Sequence, residues 1–332
     1  MKQPSAPADF NDLTPDVVIN LVEETLHTRC SNICRPLNSY INRVYDVHLE
    51  DGGGVICKFY RPGRWSRDAL QDEQDFLFEL AEAEIPVIAP LRDATGASLF
   101  IHEHLTFALF PKKGGRIGTE PTADQWKELG RLLARVHVVG AARTPRDRIR
   151  MGPEHAAEQL DYILKSGLIT SESHDRYAEV AANTMDLIPH HFDAAEMIRI
   201  HGDCHHQNII HRPGESFFII DFDDMSIGPP VQDVWMLLPG RVKDCLREVD
   251  FLIEGYETFR PFNRTGLALV EPLRAMRYIH FTAWCIRQAA DGGFKRLSPD
   301  WGSASWWKQE IHELEKQQTE IRDALEAGNL FE

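Results

Sequence analysis

His201-Gly202-Asp203-Cys204-His205-His206-Gln207-Asn208-Ile209-Ile210 is the densest polar cluster in the chain, and Phe217-Phe218-Ile219-Ile220-Asp221-Phe222-Asp223-Asp224 follows it closely. The second stretch is a four-residue apolar strand that ends in acidic residues. A buried strand delivering a carboxylate at its tip fixes that group rigidly, which suits a metal ligand. Magnesium takes hard oxygen ligands, commonly one or two carboxylates completed by phosphate oxygens. The first stretch also raises zinc, through His201, Cys204, His205 and His206. No second Cys/His pair stands at the spacing of a closed zinc site, and the adjacent His205 and His206 do not readily point at one ion. The oxygen donors are therefore the stronger candidates.

The spacing narrows the chemistry. Asp203 and Asn208 are five apart, as in the phosphoryl-transfer loop H-R-D-x-x-x-x-N, where the Asp orients or accepts the proton of a hydroxyl and the Asn holds a metal. Asp221 then occupies the place of the D-F-G aspartate, which bridges magnesium to phosphates. Two departures stand out: Gly202 replaces the Arg of that loop, and the second motif reads D-F-D. Upstream, Lys58 lies in Val55-Ile56-Cys57-Lys58-Phe59, like the V-A-I-K strand whose Lys touches ATP phosphates. A Lys in an apolar strand needs a partner, because an unpaired buried charge is costly. Glu73 on the next helix is the expected one, with Asp72 and Asp75 as competitors and Glu79 and Glu82 read as solvated. No G-x-G-x-x-G or Walker-type loop precedes Lys58. Its place is taken by residues 37–45, where Ser39 is the leading phosphate contact, followed by Asn42 and Arg43. Phe107 to Pro111 sits where a hinge would hold adenine.

Around these motifs the chain divides. Thr14-Pro15 opens a helix with an apolar stripe at Val18, Leu21, Val22 and Leu26. Val44 to Val47 and Val55 to Phe59 flank Asp51-Gly52-Gly53-Gly54 and read as a hairpin. Ser66 caps a helix, with Trp65 and Leu70 as a hydrophobic staple. Pro86 to Leu91 and Ser98 to Phe110 read as strands. Past Pro111-Lys112-Lys113-Gly114-Gly115 the segments turn helical. Thr122 to Gln125 is a capping box before a buried face at Trp126, Leu129, Leu133 and Val136. Residues 271–288 and 308–325 are further long helices. The expectation is an α+β fold with a small β-rich N-terminal lobe, 1–111, and a larger α-helical lobe, 112–332.

Bulk properties agree. The chain has 332 residues, long enough for two lobes, and 43% hydrophobic residues, as in ordinary globular proteins. The first ten residues are polar and Pro-rich and expected to fray. No window reaches the roughly 18 uninterrupted apolar residues of a membrane span, and no secretory pattern opens the chain. Six scattered cysteines without a C-x-x-C pair fit a reducing, cytoplasmic setting. The net charge of −15 opposes nucleic-acid binding, which needs Lys and Arg against phosphates. A site for ATP must therefore concentrate its cations locally or import them as metal. Trp301, Trp306 and Trp307 read as helix packing rather than a base-stacking platform.

At these residues the chain resembles the aminoglycoside phosphotransferase and choline kinase-like families of the protein-kinase-like fold, and within them the bacterial stress response kinase A family. The resemblance covers most of the chain. It is carried by N-S-Y-I-N-R-V-Y at 38–45, K-F-Y-R-P-G-R-W at 58–65, H-G-D-C-H-H-Q-N-I at 201–209, D-D-M-S-I-G-P-P-V-Q-D-V-W-M-L-L at 223–238 and E-P-L-R-A-M-R at 271–277. It implies an ATP- and Mg2+-dependent Ser/Thr protein kinase acting on a protein hydroxyl. Asp203 and Asp221 would be its active-site residues, Ser39 an ATP contact, and Asn208 and Asp221 its metal ligands. It also implies no regulated activation segment; Gly228-Pro229-Pro230 and Asp233 fill that stretch, Asp233 as a structural residue. A small-alcohol kinase shares every catalytic residue and is the alternative acceptor class. An inactive ATP-binding scaffold is the third reading, opposed by the presence of Lys58, Asp203, Asn208 and Asp221. A monomer without membrane or nucleic-acid partners is expected.

Overall fold

The computed structural model describes residues 10, 12–117, 120–188, 192, 195–212 and 214–328. The Pro-rich start lies outside them, except Phe10, which is buried in the first core rather than frayed. Thr14 caps α1 (Pro15–Leu26) through the Val17 amide, and Val18 and Val22 of that helix are fully buried.

The N-terminal lobe is a five-stranded antiparallel sheet in the order β1-β2-β3-β5-β4. Its strands are β1 (Cys30–Leu37), β2 (Arg43–Leu49), β3 (Gly54–Phe59), β4 (Phe100–His102) and β5 (Leu105–Pro111). Central β3 pairs Lys58 with Val44 on one side and Ala108 on the other. Between β3 and β4 runs α2 (Arg67–Glu82), capped by Ser66 onto the Ala69 amide, with Trp65 and Leu70 in one small core as the staple requires. Leu70, Glu73, Phe76, Leu77 and Leu80 give α2 its buried face.

Two readings of strands are corrected. Pro86 to Leu91 is extended but not a regular strand: Pro86 and Pro90 lack amide donors, and the segment instead bridges Val87 to Ile219 and Leu91 to Leu109. Ser98 to Phe110 splits into the β4–β5 hairpin at Glu103, whose φ is 53°. β1, which sequence alone did not reveal, is an edge strand containing Pro36, with no clean alternation of burial.

The larger lobe begins with β6 (Arg116–Ile117) and α3 (Ala123–Ala142), whose capping box at Thr122 and Gln125 is formed on both sides. α4 (Pro153–Lys165) and α5 (His174–Asp186) follow. The short strands β7 (Ile198–Ile200), β8 (Ile209–His211), β9 (Phe217–Ile219) and β10 (Ser226–Gly228) come next. They form a β6-β8-β9 sheet and a β7–β10 pair. The chain closes with α6 (Val231–Leu237), α7 (Leu246–Tyr256), α8 (Val270–Gln288), α9 (Gly292–Leu297) and α10 (Ala304–Gly328). Phe76 and Leu80 of α2 share one core with α3, β8, β9 and α7, so the two lobes are packed together through α2. Trp307 is fully buried against Tyr177, as expected for helix packing. Among the described residues no helix is long and apolar enough to cross a membrane.

Candidate active site

The loop between β7 and β8 carries Asp203 and Asn208, and Asp221 stands two residues past the end of β9, close to the strand tip that the sequence pattern anticipates. The loop is held from below by α6. Asp233, fully buried, accepts the amides of His201 and Gly202 at 2.8 Å each and meets His137 Nε2 at 3.0 Å. Gln232 Nε2 donates to the Gly202 carbonyl at 3.1 Å. Gly202 has φ +85°, and a Cβ there would lie 2.3 Å from the Asp224 carbonyl oxygen. That conformation and that contact exclude the Arg of the related loop.

His201 accepts the Asp203 amide at Nδ1 and reaches the Ile220 carbonyl with Nε2 at 2.9 Å, so it is the Nε2–H tautomer and ties the two motifs together. The histidines thus serve separate contacts, and no metal-ligating cluster of His, Cys, Asp and Glu occurs among the described residues. Asn208 commits its Nδ2 to the Asp203 carbonyl at 3.0 Å, which leaves Oδ1 as the side-chain oxygen available to a further partner. Asp221 has φ 60°, a left-handed conformation that costs a non-glycine residue roughly 1–2 kcal/mol.

Asp203 lies 2.9 Å from Arg277 and 3.3 Å from His205. Burial pushes its carboxyl up, but the His205 hydrogen bond and the Arg277 charge outweigh this and hold it below the usual range. His205 is raised in return, first by its bond to Asp203.

Lys58 is buried in β3, with Nζ 2.8 Å from Asp221 Oδ1 and 3.4 Å from Asp223 Oδ1. Burial works against its charge, yet Asp221 and Asp223 keep the ammonium protonated well beyond its ordinary value. The expected partner was Glu73, and here the structure differs. Glu73 pairs with Arg148 at 3.0 Å, and Arg148 also donates to the carbonyls of Ala69 and Asp223 at 2.7 Å each. A planar guanidinium serves three acceptors at once, and Asp223, standing where the D-F-G motif has its glycine, supplies Lys58 with its second carboxylate. Asp223 also receives Asn42 at 3.2 Å and Arg64. Although burial opposes ionisation, Lys58 and Arg64 lower the Asp223 carboxyl to about 2. Arg64 reaches Asp224 as well, at 2.6 Å. Of the competitors, Asp72 accepts the amides of Arg146 and Asp147, and Glu79 is paired with Arg199 at 2.6 Å rather than solvated. Ser39 lies half-buried in the β1–β2 turn, whereas Asn42 and Arg43 are engaged with protein groups.

Lys58, Asp203, Asn208 and Asp221 therefore come to one cleft from three elements, with Asp223, Arg64, Arg148 and Arg277 added by the structure. The sequence profile of the phosphotransferase enzyme family matches residues 33–270. The chain belongs to that family. This phosphotransferase is 35% identical over 300 residues, 90% of each chain, to stress response kinase A of Escherichia coli K12. It is likewise 35% identical over 304 residues, 91% of each chain, to the serine/threonine protein kinase RdoA of Salmonella typhimurium LT2. Its fold is that of amicoumacin kinase hAmiN, solved with AMP-PNP, Ca2+ and Ami (TM-score 0.71, 19% identity, 93% of each chain). Spectinomycin phosphotransferase APH(9)-Ia shares it too (TM-score 0.67, 13% identity, 96% of this chain and 99% of the other).

Proposed function

We propose that this phosphotransferase moves the γ-phosphoryl group of ATP to a Ser/Thr hydroxyl of a protein, with Mg2+. The observation that carries the reading is the convergence of Lys58 and Asp221 at 2.8 Å beside the Asp203–Asn208 loop. The donor set suits magnesium, because Asn208 offers only its amide oxygen and Asp221 a half-exposed carboxylate, both hard ligands. Magnesium bound there would neutralise charge on the phosphates. Lys58 steadies the same phosphates, and Ser39 contacts them from the β1–β2 turn. Asp203, kept ionised by His205 and Arg277, orients the acceptor hydroxyl and takes its proton. Glu73 acts at one remove, by fixing Arg148 under the Asp223 carbonyl. Most of the acceleration is positioning and electrostatics.

The protein acceptor is supported by the relatives at 35% identity over nine-tenths of the chain. Small-alcohol kinases share the fold at under 20% identity, and their acceptors are the second reading. The test is Asp203→Ala: it keeps Mg-ATP affinity and loses transfer by about 10²–10⁴-fold. Near-normal turnover would sink the assignment. Labelled ATP offered to protein acceptors and to a panel of small alcohols separates the two acceptor classes.

A further inference from the structure

Arg277, His280, Phe281, Trp284 and Arg287 recur at three- and four-residue steps along α8 and share one side of it. All but Trp284 are exposed, and Phe281 stacks on Trp284 at 5.8 Å. The side begins at the candidate base, through the Arg277–Asp203 pair, and continues to Tyr40 of the β1–β2 turn, whose ring packs on Trp284. Opposite it, α4 brings His155 to 6.2 Å from His280, Gln159 under the Arg287 guanidinium, and the Tyr162 ring 4.6 Å from Arg287.

The charge of this wall runs against that of the chain, which has 51 acidic and 36 basic residues. Arg287 has no carboxylate partner among the described residues; its hydrogen bond goes to a neutral amide. His155 Nε2, on the α4 side of the wall, is shut off from water without a protein partner. Carboxylates nearby include Asp203, Asp223 and Asp224, the last two held by Arg64; Asp291 beside Tyr40, paired with Arg61 at 3.2 Å; and Glu158, which lies 3.6 Å from His155 and is largely in solvent. His280 reports the resulting field. Desolvation of the ring where it meets α4, then the charges of His155, Arg287, Arg277 and Arg64, push it down to about 4.

We propose that the α4–α8 wall is the acceptor subsite and that it selects an acidic peptide segment around the phosphorylated hydroxyl. Carboxylates flanking that hydroxyl pair with Arg287 and draw Arg277 off Asp203, which exposes the oxygen needed for the proton. Phe281 and Trp284 offer an apolar platform to neighbouring side chains. Cationic alcohols, such as aminocyclitols or quaternary amines, meet like charge here and are disfavoured. This rests on the protein-kinase reading above.

The experiment uses the full chain with Mg2+ and AMP-PNP, and three fluorescent serine peptides flanked by Glu, Gln or Lys. Fluorescence anisotropy gives affinity and radiolabelled ATP gives kcat/KM. The Glu peptide is expected to bind on the order of tenfold tighter than the Lys peptide, with an advantage that shrinks as salt rises. Arg287→Glu should abolish or invert that order, and the milder Arg287→Gln should reduce it. Melting temperature shows that each variant is folded. Equal or stronger binding of the Lys peptide, binding of none of the three, or an order unchanged by Arg287→Glu overturns the proposal. If peptides bind in the expected order but only small alcohols are phosphorylated, the protein-kinase reading fails. A carboxylated alcohol preferred over an ammonium alcohol then sustains the wall, and the reverse preference overturns it.

Discussion

Replacing Asp233 by Asn tests whether α6 is what holds the Asp203–Asn208 loop. The substitution keeps size and shape but leaves one acceptor oxygen where the native residue has two. Both are in use: Oδ2 takes the His201 amide at 2.8 Å and meets His137 at 3.0 Å, and Oδ1 takes the Gly202 amide at 2.8 Å. If the Asn oxygen stays on the His201 side, its NH2 faces the Gly202 N–H, donor against donor. A hydrogen bond to an ionised group contributes about 1.5–3 kcal/mol, and a buried N–H left without a partner costs about 1–3 kcal/mol more. The expected loss is therefore about 3–5 kcal/mol, a large share of the roughly 5–15 kcal/mol that holds a domain folded. Urea unfolding reads this as a lower midpoint at unchanged slope. Transfer should fall more than Mg-ATP affinity, because the loop that shifts carries Asp203, and misplacement by about 1 Å costs on the order of 100-fold. An Asn variant within about 1 kcal/mol of the parent, with kcat within about threefold, would refute the reasoning.

Gly202→Ala places a methyl group 2.3 Å from the Asp224 carbonyl oxygen at a φ of +85°; a loss of about 2–4 kcal/mol in chemical denaturation is expected, and an unchanged midpoint would contradict it. Glu73→Gln addresses pH. Burial raises the Glu73 carboxyl from 4.5 to about 7 against the pull of Lys58 and Arg148, so the native state binds this proton more tightly than the unfolded chain. Its contribution is fully present below the unfolded value and lost as pH rises through about 7. The melting temperature of Glu73→Gln should gain on the parent between about pH 5 and about pH 8, and a flat difference across that range would count against the assignment.

What could be read in advance follows the range of the interactions. The caps at Thr14, Ser66 and Thr122 act within one helical turn, and the Asp203–Asn208 spacing lies within one loop, so both are written in consecutive residues. Arg64 with Asp223, Arg148 with Glu73 and Arg277 with Asp203 join residues 159, 75 and 74 positions apart. No periodicity exposes such partners. The Lys58–Glu73 expectation failed for this reason: Arg148 arrives from outside the motif and takes the carboxylate. A usable signal did exist in Phe222-Asp223-Asp224, where a carboxylate replaces the small residue of the related motif beside a buried lysine. β1 was hidden differently, since an edge strand exposed along most of its length carries no alternation to read.

That carboxylate has a consequence for how the enzyme can be switched and inhibited. Asp223 is anchored by Lys58, Arg64 and Asn42 through its side chain and by Arg148 through its carbonyl. Phe222 beside it is buried between His201 and Phe76. A glycine at that point would act as a swivel, letting the aromatic ring leave its seat and open a crevice behind the nucleotide. Here the swivel is riveted on four sides. Compounds that wait for such a crevice have nowhere to enter, so blocking this protein calls for ligands that compete for the cleft itself.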